Sequence, residues 1–504
     1  MISTSKLFYM YIKYALLFVV FCISCSPKKA ELVWSQSYPA IGSQSSPRSA
    51  DLNHDGFLDF VMGGGKNEYQ ESDFGVFAFD GKTGKSLWNY ASKDQIYGSA
   101  TFVDIDSDGT NDVVIGGRSN ILVALNGKNG KLIWEWTYKY EKDSVLKNTL
   151  GNFQNTVLIP DQNGDKMPDL LVQNGGNPKA LPNTEYGRLP GVLMILNSKN
   201  GNVISSAVTP DGGESYTPPL YFAQPNGKEY IVFGTGGETL DGNFYVTSLQ
   251  DLRKGNIEQS RLLVSEKSHG YIAPPVAADI NMDGFFDIVA ISHGSKITAI
   301  DGKSWQKIWE KVIPNTESSN ALSVGYFTDD NIPDFFTFTS KGVWPDSKGS
   351  VQVMLNGKTG EIAYENNLGC TGFSSPVIYD INDDGTDDAI LSTNEYNCER
   401  GFVSDAKLQI KNKLISIDFA NKKVETIDET PNFKNIFSTP WIGDIDGDKY
   451  LDVVYCQYYS AGPDLLLFLG MQIKRISSGI KIKKPIVWGG YMNSRGNSVF
   501  EKSK

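Results

Sequence analysis

The chain has 504 residues, with 47 Lys and Arg against 58 Asp and Glu and a formal charge of −11. An acidic balance without a basic stretch argues against a nucleic-acid partner. The length would suit three ordinary domains, but an internal repeat places nearly all of it in one architecture.

The first residues read as an export signal. Lys6 and Lys13 lie ahead of and within an apolar stretch, residues 14–23, that is too short to span a membrane comfortably. The following Cys22-Ile23-Ser24-Cys25 resembles a bacterial lipobox, which implies cleavage after residue 24 and a diacylated Cys25. An ordinary signal peptide cut nearby is the alternative. Ser26 is not the Asp that favours inner-membrane retention in lipoproteins, so the expected location is the cell envelope, anchored by lipid at the outer membrane. Residues 1–24 are thus expected to be a lipoprotein signal peptide, residues 25–42 an anchored N-terminus with a ring-closing strand, and residues 43–504 a repeat-built body.

Residues 31–38, ELVWSQSY, read as a strand that lacks a sheet of its own. Beyond it, the nine-residue pattern DIDSDGTND of residues 104–112 recurs with first positions at Asp51, Asp104, Asp161, Asp279, Tyr326, Asp380 and Asp444, and a unit without acids fits near Phe222. In the unit around residues 99–138, a short strand enters the acidic loop and a β-branched strand leaves it. A third strand then turns through Asn126-Gly127-Lys128-Asn129-Gly130 into a fourth ending in LIWEW. Four antiparallel strands make a blade, and eight such units predict an all-β, single β-propeller of eight four-stranded blades, with seven as the alternative. Closing a ring takes a borrowed strand; residues 31–38 and the tail from Met471 both qualify.

Ser/Thr-Pro, three residues, Asp-x-Asp/Asn-x-Asp-Gly and an apolar return strand together resemble the FG-GAP and VCBS repeats of integrin-α-like propellers, over nearly the whole mature chain. A second resemblance overlies the third-to-fourth strand turn. AFDGKTGKSLW, ending at Trp88, is similar to the repeat of pyrroloquinoline-quinone-type propellers, with weaker copies ending at Trp134 and Trp309 and Tyr364 replacing Trp in a fourth. The second resemblance implies packing between blades, not the quinone.

Calcium takes six to eight oxygen ligands, and alternate residues of a tight loop can aim carboxylates at one centre. Six loops carry the full pattern: Asp51, Asn53, Asp55 and Asp59; Asp104, Asp106, Asp108 and Asp112; Asp161, Asn163, Asp165 and Asp169; Asp279, Asn281, Asp283 and Asp287; Asp380, Asn382, Asp384 and Asp388; Asp444, Asp446, Asp448 and Asp452. The last acid at position nine and the flanking strands distinguish them from EF-hands. Loss of Lys6 and Lys13 takes the charge of −11 to −13, and about six Ca2+ ions would bring it near −1. Metal therefore accounts for most of the acidity.

Cys370 and Cys398 flank one hairpin symmetrically, so a disulfide and two free thiols both remain open; Cys456 reads as a buried small hydrophobe. Acidic loops share one face of the expected ring, and the long individual loops share the other. Tyr69, Arg118, Asn177, Tyr186, Arg188, Trp344, Tyr396, Arg400 and Tyr458 lie in the second set and suit a carbohydrate or protein ligand. The three histidines, His54, His269 and His293, fall in no recognised catalytic motif. The expectation is a monomeric, calcium-binding, non-catalytic scaffold. A carbohydrate-active enzyme related to polysaccharide lyases is the alternative, and a quinone-dependent dehydrogenase stands further off.

Overall fold

A computed structural model describes residues 30–136, 143–148, 151–177, 179–181, 183–343, 347–400, 409–459 and 468–501. Eight antiparallel sheets follow one another around a ring, so the expected eight-bladed propeller is the observed fold. Blade 1 shows the common plan: Arg48–Ala50, Asp59–Gly63, Ser72–Phe79 and Ser86–Ser92 pair in sequence order. The second strand is buried along its whole length, whereas the fourth alternates exposed and buried residues at the rim. This is the pattern of strands sandwiched between blades inside and half-solvated outside.

Innermost strands of the remaining blades begin at Thr101, Val157, Leu220, Val276, Ser323, Val377 and Trp441. Blades 6 and 8 each carry an extra two-residue strand, at Thr316–Glu317 and Phe433–Lys434. The unit near Phe222 is blade 4, where a short turn replaces the acidic loop. Its Gln224 reaches across to blade 5, accepting from Phe286 N at 2.8 Å and donating to Phe286 O at 2.9 Å.

Closure uses both ends of the chain in different ways. Glu31–Pro39 is the outer strand of blade 8, antiparallel to Gly470–Lys481 from the other end. Past Lys481 the chain leaves the sheet and fills the axis of the ring. Trp488 bridges to Ile378 of blade 7, Gly489 O accepts from Ile442 N of blade 8 at 2.8 Å, and Val499 runs parallel to Ala277 of blade 5. Trp488, Met492, Val499 and Phe500 are all buried there.

Neighbouring blades are locked by a repeated indole contact. The Nε1–H of Trp34, Trp88, Trp134 and Trp309 donates to the carbonyl of Gly81, Gly127, Ser198 and Gly357 in the next blade, at 2.7–2.9 Å. Each ring also lies over the positive-φ glycine three residues on, where a Cβ would come within 2.6–2.7 Å of the indole. Tyr364 instead packs edge-on against Phe419. Trp88→Phe keeps most of the apolar contact and loses the bond, leaving a buried carbonyl unpaired. A loss of about 1–3 kcal/mol is expected in urea unfolding.

Candidate functional site

All six acidic loops curl around their own side chains. The first-position carboxylate accepts backbone N–H groups later in the loop, as Asp51 does from Gly56 at 3.1 Å, Asp104 from Gly109 at 3.0 Å and Asp444 from Gly447 at 2.8 Å. Fifth-position acids accept from the residue two on, for example Asp55 from Phe57 at 2.9 Å and Asp448 from Tyr450 at 2.8 Å. The glycine at the sharp bend has positive φ in Gly56, Gly109, Gly284 and Gly385, which a side chain would strain.

The ninth-position acid does more than the sequence suggests. Asp59, Asp112, Asp169, Asp287 and Asp388 are fully buried, and Asp452 nearly so. One oxygen accepts from the residue after the loop's first acid: Leu52 to Asp59 at 3.0 Å, Ile105 to Asp112 at 2.9 Å, Ile280 to Asp287 at 3.0 Å. The other accepts from the glycine of the third-to-fourth turn, Gly81 at 3.2 Å, Gly127 at 3.0 Å and Gly302 at 2.9 Å. Those glycines have no room for a Cβ, which would sit 1.7–1.9 Å from a backbone carbonyl. The incomplete loop at Tyr326 keeps this brace through Asp334, bonded to Phe327 N at 3.1 Å and Gly357 N at 2.8 Å. The brace therefore persists even where the loop's first acid is gone.

The opening residue of the third-to-fourth turn answers the third loop position. In three of the four loops with Asn at this position the turn opens with Asp: Asn53 donates to Asp80 at 3.3 Å, Asn281 to Asp301 at 2.8 Å and Asn382 to Asp418 at 2.9 Å; opposite the Asn163 loop stands Asn197, which donates to Asp165 at 2.7 Å. Where the loop has Asp106, the turn has Asn126, at 3.0 Å. Asp80, Asp301 and Asp418 are carboxylates beside the loops that loop spacing alone misses; Asp80 and Asp301 carry the signal of a DGK turn, and Asp418, in DFANKK, does not.

Burial raises several of these acids. Asp59 is pushed up to about 6 and Asp287 to about 7, with nearby acids adding to the shift. Asp388 is pushed to about 8 by burial and by Asp418, Asp384 and Asp380 beside it, and its Oδ1 has no hydrogen-bond partner. Lys484 from the axial tail approaches Asp380 at 3.4 Å and Asp387 at 2.7 Å. Among the described residues, two loops bring three carboxylates within reach of one ion: Asp104, Asp106 and Asp108, and Asp444, Asp446 and Asp452.

The second of these is already filled. Arg475, 3% exposed, donates to Asp446 at 2.5 Å and to Asp452 at 3.0 Å through both Nε and Nη2. Its Nη1 reaches Gly81 O of blade 1 at 3.3 Å, the carbonyl that also accepts from Trp34. A guanidinium thus sits between two acids of the blade 8 loop and ties it across the closing seam.

On the opposite face, Arg118 pairs with Glu68 and lies over Tyr69 and Tyr97, with 5.7 and 5.0 Å to the ring centroids. Arg188 binds Glu214 at 2.6 Å and the carbonyls of Leu181 and Thr184 at 2.8 and 3.1 Å, shaping the loop that carries Asn177 and the 91% exposed Tyr186. Tyr396 is half-buried near Cys370 and Cys398, which are joined by a disulfide. Tyr458 is a correction: it is 1% exposed and stacks edge-on with Phe468 at 4.8 Å, because it lies inside a ten-residue strand rather than in a loop. Trp344 and Cys25 lie outside the described residues, as does the side chain of Arg400. His269 and His293, far apart in sequence from any motif, meet over Glu317 at 3.7 and 3.5 Å, and His293 Nδ1 lies 3.3 Å from the Ser319 hydroxyl. Cys456 is buried and free.

Residues 66–270 match the family model of the FAM234A/B β-propeller. No curated protein sequence matches the chain. Among solved structures, the chain is similar to a europium-containing methanol dehydrogenase at 11% identity and a TM-score of 0.54, covering 89% of this chain and 93% of that one. It is also similar to the quinohemoprotein alcohol dehydrogenase of Comamonas testosteroni, at 12% identity and 0.54, covering 91% and 78%. A quinohemoprotein alcohol dehydrogenase of Pseudomonas putida HK5 gives 11% and 0.52 over 90% and 77%. At these identities the likeness is one of fold.

Proposed function

We propose that the protein is a calcium-binding propeller of the FG-GAP/VCBS type, lipid-anchored through Cys25 in the cell envelope, that holds a protein or carbohydrate ligand on its loop-rich face without transforming it. The observation that carries the calcium reading is the repetition, in phase, of loops whose first, third and fifth side chains accept backbone N–H groups of their own loop, with three carboxylates within reach of one ion in two of them. Hard oxygen donors at this density suit Ca2+ better than softer metals. Among the described residues no other loop has a cation bridging its third and ninth positions as Arg475 does in the sixth, where it binds Asp446 and Asp452, so five ions per chain are proposed rather than six.

The ligand reading draws on the opposite face, where the Arg118 and Arg188 clusters fix long loops on a rigid frame. Residues that contact a ligand there are proposed to include Tyr69, Asn177 and Tyr186.

Elemental analysis of metal-saturated, desalted protein should give close to five calcium ions per chain. Chelation should lower the melting temperature, since each site at a hundredfold excess of ion over Kd adds about 2.7 kcal/mol to the folded state. An unchanged melting curve with and without chelator would remove the proposal. Passing solubilised envelope over the calcium-loaded and chelated protein then separates ligand binding, which needs the frame, from metal binding itself.

A further inference from the structure

Arg48 breaks the repeat. It opens the innermost strand of blade 1 and pairs with Val61, two residues past the ninth-position acid. By the same register its counterparts are Thr101, Val157, Val276, Ser323, Val377 and Trp441, all uncharged. Arg48 is only 7% exposed, and its guanidinium reaches the axial tail at Asn493 and Gly496.

Its surroundings do not answer that charge. Nη1 donates to Asn493 O of the axial tail at 3.3 Å, and Nε has no partner. No carboxylate within 4 Å pairs with it among the described residues, and burial lowers its pKa to about 10. Taking an ion from water into a protein interior costs several kcal/mol unless an opposite charge compensates it. The tail makes room for the group instead of neutralising it: a Cβ on Gly496 would stand 2.8–2.9 Å from the guanidinium.

Beside Arg48 lies a cavity of about 270 Å³ between the tail, which contributes Arg495, and the inner strands of blades 1 to 3 and of blade 8 at Trp441. Ser49, Thr101, Thr156, Ser494 and Asn497 contribute to its wall. At roughly 30 Å³ per water molecule it holds about nine waters' worth of volume, the scale of a small metabolite. A planar guanidinium grips a carboxylate or a tetrahedral oxyanion through paired N–H donors.

We infer that the axial cavity is a binding site for a small oxyanion, a carboxylate or a phosphate-like group, with Arg48 as its counter-charge. The occupant neutralises the buried guanidinium and bridges the tail to blades 1 to 3. This site is separate from the calcium loops and stands whether or not they bind metal.

The test is isothermal calorimetry on the full calcium-loaded chain in an anion-poor buffer, titrated in separate arms with succinate and with sulfate. One-site binding of at least one probe is expected, with affinity at least tenfold weaker in Arg48→Met and partly retained in Arg48→Lys. The two arms tell a carboxylate site from one for a tetrahedral oxyanion. Melting in the same buffer without probe supplies a second readout. Arg48→Met should melt no lower than the parent, because it removes an uncompensated buried charge; a clear drop would mark Arg48 as a tail anchor only. Absence of binding by both probes, or equal binding by Arg48→Met, overturns the inference.

Discussion

A chain ending at Lys481 should unfold at markedly lower urea than the full protein, by more than any single substitution discussed above. Residues beyond that point supply no strand to a blade, yet they bury Trp488, Met492, Val499 and Phe500 in the axis. Trp488 packs with the core that joins blades 5, 6 and 7, and Phe500 meets Tyr326 at 5.5 Å between centroids. A buried large aromatic replaced by alanine costs about 3–5 kcal/mol, so Trp488→Ala alone should reach that range. Loss of the whole segment also frees Ile378, Ile442 and Ala277 of backbone partners that the inner strands cannot provide for themselves. Chemical denaturation of the three forms measures this, and a truncated ring as stable as the full chain would show that the axis tolerates water.

Arg475→Ala should be the most damaging single substitution at the closing seam, and calcium should repair part of it. In chelator, removing one partner of a buried ion pair leaves Asp446 and Asp452 without their cation, an effect of about 3–5 kcal/mol. The blade 8 loop then presents the same acidic set as its siblings, and its cation position is open. Calcium titration of the variant should recover stability and raise the bound ion count by one. Arg475→Lys, which cannot reproduce the forked contact with Asp452, should fall between. If the variant gained no ion while losing stability, the guanidinium would be only a seam contact and not a substitute for metal.

These two results bear on the same question, how a repeat protein closes. Blade 8 is assembled from both ends of the chain, and Trp34, Arg475 and Gly81 meet where the last blade abuts the first. Among interior junctions, those of blades 1 with 2, 2 with 3 and 5 with 6 carry the indole lock. The seam carries the same lock through Trp34 and adds a charged clamp through Arg475.

Period and spacing were enough to read a propeller of eight blades, with seven as the alternative, and the position of every acidic loop, because these follow from local hydrogen bonding repeated along the chain; which end closes the ring stayed open, since residues 31–39 pair with residues 470–477 at the far end. The turn acids Asp80, Asp301 and Asp418 were visible as residues but not as members of the loops, since only the blade's own fold brings the third strand's end beside the first. Tyr458 was misplaced because strand length in blade 8 departs from the repeat. What tertiary structure alone decided are the non-repeating contacts: the tail in the axis, Arg475 in an acidic loop, Arg48 beside a cavity, and two histidines on one glutamate. Periodicity fixes how a segment pairs with its neighbours in sequence. It carries no information about which groups, hundreds of residues apart, are left facing one another once the ring has shut.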